Sequence, residues 1–530
     1  MRRVRQKPPG GAVLSRNRKE PGRRAPAPPV DTRRSSRGRL VTIFVCVAAI
    51  LAAGGFAAFQ FRGDSEPPPA PRRQPRHVEK PPNILFISVD MLRPDHLRCY
   101  GYGRPTSPRL DELAAEGVLF QNQISSSSWT LPAHAAMFTS QPDAVHGCTD
   151  TDRRLPSTLT SLPERFRAAG YRTAGFFSGP YLHPAFGFDR GFETYIDCTS
   201  YANALDGKPV KDWAMDPAVM RDSHRDVTNP IIFANVKKWL DAHARERFFL
   251  FIHMWDPHFD FIPPPPYDTM FDPEYAGWVN GQDFFNDPRI NKDMDPRDLA
   301  HLKALYDGEI AATDATIGRI LDELRAAGVL DDTLVCVTSD HGTEFFEHGL
   351  KGHRKTLFDE CIRVPLILRY PAGLPAGRRI AAQTRSIDIG PTMLELAGLT
   401  VPAGLMGSSL LPLVEEGRPD FDNTAISELA TAGRRMRTMR SLAWKFTDAM
   451  HSNMRFFMDL KNDPREQRIL RDMATGQGLE LTRRYTKWMA ALGKLREQLR
   501  VVPEPSDVPS DVMRVLKSVG YVGGDEDEND

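Results

Sequence analysis

Three short apolar runs in this 530-residue chain each end in a group that can hold a metal. Residues 83–89 (NILFISV) lead into Asp90. Residues 248–252 (FFLFI) lead into His253, with Asp256 and His258 close behind. Residues 333–339 (TLVCVTS) lead into Asp340 and His341. Nearly unbroken apolar runs of this length mark strands buried on both faces, which need helices covering each side of the sheet. The intervening sequence supplies them. A helix is expected from Ser107-Pro108 to about Gly117, another over 159–169 stopped by Gly170, another over 231–244, and a long one over 299–327 stopped by Gly328. Further strands are expected over 171–177 and 364–370, while the four prolines at 263–266 exclude both helix and central strand there. Strands alternating with helices define an α/β protein with a mostly parallel sheet. In such sheets sites form beyond the carboxyl ends of the strands, so Asp90, His253, Asp340 and His341 are expected to meet. One such residue could merely end a strand or start a turn. Three strand ends together favour a site for a divalent cation.

The segment 125–140, SSSSWTLPAHAAMFTS, supplies the candidate nucleophile, Thr130. Pro132 suits a first helical turn, and Ala135 to Phe138 continue it, so Thr130 is expected just ahead of a helix N-terminus. A hydroxyl there is ordinarily an N-cap. It is also well placed to attack a phosphorus or sulfur centre whose oxygens face the helix end. A cation held by Asp90, Asp340 and His341, with the Thr130 oxygen as a further ligand, would lower the hydroxyl pKa and favour the second reading.

Charge is even overall, +1, so no global field points to nucleic acid, but the layout is polarised. Residues 1–40 carry thirteen Lys and Arg against Glu20 and Asp31 and read as a disordered basic tail. Residues 41–59 are apolar except Thr42, long enough for the ~30 Å hydrocarbon core of a bilayer. We read 41–61 as a single-pass anchor with a cytoplasmic N-terminus; a cleaved signal peptide is the rival. Residues 62–80 form a Pro/Arg-rich spacer. Catalysis would then take place on the periplasmic or extracellular side. No cysteine pair has metal-ligand spacing; Cys99, Cys148 and Cys198 are open to pairing in an oxidising compartment.

Several segments, in order, resemble the sulfatase family of the alkaline phosphatase superfamily. PPNILFISVDMLRPDHLRCYGY is similar to the opening of a sulfatase domain. TLPAHAAMFTS aligns without gaps with the family signature C/S-x-P-x-R-A-x-L-x-T-G. VTSDHGTEFFEHG resembles the second metal motif, and GHRKTLFDECIRVPLIL the segment carrying a basic substrate residue. FFMDLKNDPREQ and LKSVGYVGG resemble C-terminal motifs, so the similarity runs over about 81–522. It implies an α/β/α sandwich at 81–400, a smaller α+β subdomain at 401–500 and an end segment with an acidic tail at 501–530. It implies a divalent metal (Ca, Mg, Mn or Zn) on Asp90, Thr130, Asp340 and His341, with Thr130 as nucleophile. His258 and His353 would handle substrate oxygens and the leaving group. His253, Asp256, Glu344, Glu347 and His348 are weaker candidates.

Two departures from the pattern carry chemical weight. Thr130 stands where the family has the Cys or Ser oxidised to formylglycine, and His134 stands for the signature Arg, which makes His134 a candidate catalytic residue. Threonine carries a methyl group on Cβ and cannot give that aldehyde, so no formylglycine is expected. Met91 stands where a further metal aspartate is usual. The expected activity is hydrolysis of sulfate or phosphate esters on a glycan, lipid or small molecule. The alternatives are a phosphoglycerol- or phosphoethanolamine-type transferase acting on envelope lipid or glycan, and an inactive binding module.

Overall fold

In a computed structural model the described residues are 77–199, 228–415, 424–431, 433–474, 476–510, 512, 513 and 516. The basic tail, the expected span at 41–61, nearly all of the 62–80 spacer, residues 200–227 and the acidic tail lie outside them. Among the described residues no helix is long and apolar enough to cross a membrane.

Eight strands form the main sheet: β1 (Asn83–Val89), β2 (Val118–Ile124), β3 (Arg172–Phe177), β4 (Thr194–Asp197), β5 (Phe248–Met254), β6 (Thr333–Ser339), β7 (Arg363–Arg369) and β8 (Arg378–Arg385). Their spatial order is β8-β2-β7-β6-β1-β5-β3-β4. Every pairing is parallel except those of β7, which runs antiparallel to both β6 and β2. The three apolar runs are neighbours at the centre, with β1 between β6 and β5.

Alternation along β1 builds the three layers. Ile84 and Phe86 pack on one face with residues of α2 (Thr130–Thr139), α3 (Leu162–Ala168) and α6 (Ile389–Leu396). Leu85, Ile87 and Val89 pack on the other with α1 (Pro108–Glu116), α4 (Asn229–His243) and α5 (Pro296–Ala326). Phe251 on β5 is fully buried, with its ring 5.0 Å from Phe138 and 5.4 Å from Phe86. Phe251→Ala is expected to cost about 3–5 kcal/mol, read from the urea midpoint; a loss below about 1 kcal/mol would contradict this packing.

A four-stranded antiparallel sheet follows, β9 (Ala425–Ala430), β10 (Arg435–Arg440), β11 (Trp444–Ala449) and β12 (Met454–Asp459), covered by α7 (Gly476–Gln498). Ile426, Met439, Phe446 and Phe457 meet Leu481 and Tyr485 of α7 in its core.

Some boundaries differ from the sequence expectation. The helix expected to follow Thr130 begins on it: Trp129 is extended (φ −162°, ψ 160°) and serves as the N-cap. Pro132 is then the third helical residue, within the turn whose N–H groups have no intrahelical acceptor. Thr130 is therefore not a cap. The 162–168 helix starts late because Ser161 and Glu164 form a capping box. The long helix starts early because the Asp295 side chain caps it on the Arg297 N–H, 2.7 Å away. Cys99, Cys148 and Cys198 are free thiols, as are Cys336 and Cys361.

Candidate active site

Parallel pairing sets the site. Ser88 on β1 lies opposite His253 on β5 and Thr338 on β6, and Val89 lies opposite Met254 and Ser339. Strands in this register end at the same level, so Asp90, Asp340 and His341 emerge side by side. The β2 strand delivers Ser125 to Ser128 and then Thr130 to the same edge. Ser125 Oγ donates to the Asp340 carbonyl, which locks the two segments together. Gly342 is required beside His341, because a Cβ there would collide with the Glu360 carbonyl.

Thr130 Oγ1 is buried, 3.4 Å from Asp90 Oδ2 and 3.3 Å from His341 Nε2. His341 Nε2 is in turn 3.4 Å from Asp90 Oδ1 and 3.5 Å from Asp340 Oδ2. The tautomer follows from the backbone. His341 Nδ1 lies 2.9 Å from the Gly342 carbonyl, which can only accept, so Nδ1 carries the proton and the Nε2 lone pair faces Thr130 and both carboxylates. His253 is oriented the same way. Its Nδ1 donates to the Ser178 carbonyl at 2.6 Å, and its Nε2 stands 3.6 Å from Asp90 Oδ2.

Asp90 Oδ1, Asp340 Oδ2 and His253 Nε2 are buried with no hydrogen-bond partner. Burial and the negative charge of Asp340 hold the Asp90 carboxyl well above the usual carboxylate range. Burial raises Asp340 too, but His341, His134 and His253 outweigh it and keep it below. Two buried carboxylates with unsatisfied oxygens and two imidazole lone pairs form a donor set for a divalent cation. The spacing also fits. Donors at right angles about a cation with ~2.4 Å bonds lie about 3.4 Å apart, and a tetrahedral ion with ~2.0 Å bonds gives nearly the same separation. Asp90, Asp340 and His341 form one metal-capable group; His134 and His253 also cluster at Asp340, but both His134 nitrogens are engaged, by the Thr130 carbonyl and Ser88 Oγ. The pattern in the sequence ranked His253 low; its position ending a central strand was the signal that it belongs here.

Met91 explains the missing fourth carboxylate. Its backbone is left-handed (φ 56°) and its side chain is buried in the core on the α4–α5 face, so the position after Asp90 turns away from the site. His134 lies behind Thr130. Its Nδ1 donates to the Thr130 carbonyl at 2.9 Å, and its Nε2 accepts from Ser88 Oγ at 3.0 Å. Burial lowers its pKa, which matches this neutral, doubly bonded ring. Among these contacts His134 holds the backbone of Thr130.

His353 is buried and its ring stacks on His341 at 4.5 Å. Burial, His341, His258 and the cations Arg354 and Lys355 push it well below the usual histidine range. In the sequence it stands among Lys351, Arg354 and Lys355; packing under the Phe259 ring, 5.4 Å away, removes it from water. His258 lies 5.2 Å from His353, with Nδ1 on the Phe259 carbonyl at 2.9 Å. Arg354 was passed over as part of that basic surround. Its guanidinium covers Trp129 at 4.4 Å, its Nη1 donates to Tyr181 Oη at 3.1 Å, and its backbone N–H donates to the Ser128 carbonyl at 3.3 Å. The remaining candidates serve the scaffold. Asp256 accepts from Thr228 and the Asn229 N–H, Glu344 from Thr356, and Glu347 from Arg93, while His348 stacks on Phe358.

The α/β/α sheet, the antiparallel C-terminal subdomain and a buried carboxylate–imidazole centre at the carboxyl ends of the strands define an alkaline phosphatase-like hydrolase. The sulfatase family profile matches residues 82–399, and that of the N-sulphoglucosamine sulphohydrolase C-terminal region matches 346–487. The chain belongs to the sulfatase family and is a hydrolase of ester bonds. It is 25% identical over 417 residues to an N-acetylglucosamine-6-O-sulfatase of Bacteroides thetaiotaomicron, covering 65% of this chain and 73% of that one. It is 27% identical over 366 residues to an ulvan-active sulfatase of Formosa agariphila, covering 65% and 67%. Its fold matches the phosphonate monoester hydrolase of Agrobacterium radiobacter with a TM-score of 0.63 at 23% identity, over 79% and 96% of the two chains. It also matches BT4656 in complex with its substrate D-glucosamine-2-N,6-O-disulfate, with a TM-score of 0.62 at 20% identity, over 81% and 100%.

Proposed function

We propose that this chain hydrolyses sulfate or phosphate esters with Thr130 itself as the nucleophile, in place of a formylglycine. One observation carries the reading: the Thr130 hydroxyl is buried within 3.4 Å of Asp90 and 3.3 Å of His341 at the first residue of a helix. Asp90, Asp340 and His341 would hold the divalent metal, with His253 Nε2 as a further donor. When bound, such an ion lowers the pKa of a neighbouring hydroxyl and neutralises charge on the ester oxygens.

Thr130 Oγ1 attacks sulfur or phosphorus in line, and the bond to the leaving oxygen breaks. Asp90 Oδ2 faces the hydroxyl at 3.4 Å and is the acceptor for its proton, while the single lone pair of His341 Nε2 would serve the metal. The N–H groups of the first turn of α2 favour the ester oxyanion. His258 gives a proton to the departing alcohol, and His353, held neutral by burial, would donate a hydrogen bond to the leaving oxygen. Water then cleaves the Thr130 ester at sulfur or phosphorus, since a threonine ester has no aldehyde to collapse to.

The relatives named for N-acetylglucosamine 6-sulfate and for ulvan support a sulfated glycan as substrate class, and the same names support hydrolysis over group transfer. The apolar run at 41–59 supports anchoring at the cell membrane, with residues 81–530 outside the cytoplasm. The test is a panel of aryl sulfate, phosphate monoester, phosphodiester and phosphonate monoester substrates, with the metal varied. We expect turnover of at least one ester and, on rapid quenching, a Thr130 peptide heavier by the transferred group. Full turnover by a correctly folded Thr130→Ala, or none of the four cleaved with any metal, would overturn the proposal.

A further inference from the structure

The run Ser125–Ser128 stands out in the sequence, and none of its hydroxyls is the nucleophile or a metal-site donor. All four serines are buried, and buried polar groups need partners. Ser127 and Ser125 find them in the C-terminal subdomain, some three hundred residues away in sequence. Ser427 Oγ donates to the Ser125 carbonyl at 2.6 Å, the Glu428 N–H donates to the Ser126 carbonyl at 2.8 Å, and Ser127 Oγ donates to the Glu428 carbonyl at 2.7 Å. Ser127 and Glu428 form a parallel bridge. The first strand of the small sheet is thus paired with the backbone that leads into Trp129 and Thr130.

The next strands of that sheet grip the second working segment. Lys445 is fully buried: Nζ donates to the Leu357 carbonyl at 3.1 Å and to Asp359 Oδ1 at 2.6 Å, and it forms an ion pair with Glu466 Oε1 at 2.6 Å. Arg440 forks onto Asp359 at 2.9 and 2.6 Å. Glu466 Oε2 accepts the Asp359 backbone N–H at 2.7 Å. Two cations and two anions balance. A buried quartet of this kind is a poor source of stability, since apolar residues of similar volume do as well or better. Its backbone contacts, at 357 and 359, fix the chain a few residues beyond His353 and Arg354.

We propose that the C-terminal subdomain is the positioning element for both segments, holding the Thr130 segment through Ser427 and Glu428 and the His353 segment through Arg440, Lys445 and Glu466. The two segments then share one rigid frame, β9 to β11. This rests on the reading that Thr130 attacks and that His353 serves the leaving group.

The experiment uses the full chain and the oxyanion preferred in the substrate panel, as its 4-nitrophenyl and ethyl esters. Ser427→Ala strips the donor from the Ser125 carbonyl. We expect it to lower kcat about 10-fold on both esters, with KM and bound metal unchanged, and Ser427→Thr to restore it. Lys445→Met with Glu466→Gln removes one charge of each sign and leaves Asp359 paired with Arg440. We expect kcat to fall about 10-fold on the ethyl ester and under about 2-fold on the 4-nitrophenyl ester, because a good leaving group gains little from a hydrogen bond supplied by the positioned His353 segment. If the double variant does not fold, Glu466→Gln alone, which keeps an acceptor for the Asp359 N–H, should show the same split at smaller size. Wild-type kcat in both series, equal losses on both esters at Lys445/Glu466, or no restoration by Ser427→Thr would each overturn the proposal. The catalytic reading fails separately, through an inactive wild type or a fully active Thr130→Ala.

Discussion

Thr130→Ala is expected to lose about 10⁴-fold or more in kcat while unfolding at nearly the wild-type midpoint. The two parts of that expectation have separate causes. The hydroxyl is the attacking group, so its removal leaves substrate binding and charge stabilisation without a nucleophile. The fold loses little, because Trp129 is the N-cap, no backbone N–H is capped by the Thr130 side chain, and its hydroxyl contacts are long, at 3.3 and 3.4 Å. Thr130→Ser should retain much of the rate, since it keeps the oxygen and drops only the methyl. A Thr130→Ala protein that is correctly folded and nearly fully active would end the nucleophile reading. One that melts several degrees lower would mean that the residue acts mainly in folding.

Removing the metal is expected to abolish turnover and to loosen the fold together. An ion present at a hundred times its dissociation constant adds about 2.7 kcal/mol, because it binds the folded chain alone. Without it, Asp90 and Asp340 face each other in a buried site, and burial, with the charge of Asp340 added to it, raises the pKa of Asp90. Chelation should therefore lower the melting temperature of the wild type and restore both properties when the ion returns. In Asp340→Asn, chelation should change the melting temperature much less, since that site has already lost a charged ligand. The sign with pH follows. The ion binds the ionised carboxylates and competes with protons, so affinity falls as pH falls, beginning above the ordinary carboxylate range because Asp90 takes up its proton early. Unchanged melting with and without chelator, alongside full activity, would contradict the assignment of these ligands.

The layered fold was legible because burial on both faces writes itself as unbroken apolar runs. NILFISV, FFLFI and TLVCVTS proved to be the three central strands, and the residues at their ends proved to be neighbours. What the sequence could not convey was orientation. Met91 and Asp90 are adjacent in sequence, yet a left-handed backbone sends one to the core and the other to the site. His253 looked like any histidine near a strand end, and only the Ser178 carbonyl, contributed by a distant loop, turns its Nε2 toward Asp90. His353 was expected to serve the site, but its burial could not be read from Lys351, Arg354 and Lys355 around it, because it depends on Phe259 and His341 from elsewhere in the chain. The four serines carried no readable meaning, since their partners lie in a different sheet. Each failure has the same origin: the deciding contact joins residues far apart in sequence.

The reversed strand β7 has a consequence for how such a site can change. A parallel strand after β6 would have required a crossover back to the opposite edge of the sheet. Because β7 runs the other way, the chain leaves the sheet at Asp340 and re-enters it at Arg363 on the same side. Residues 340–362 are therefore a single excursion that begins with metal-capable side chains and carries His353 and Arg354 before returning. It is in effect a replaceable cassette. Its first residues are tied to the reaction centre and Leu357 and Asp359 to the C-terminal subdomain, so the residues between those two anchors can be exchanged or lengthened without disturbing any strand order. New leaving groups can be accommodated there without rebuilding the sheet that holds the nucleophile.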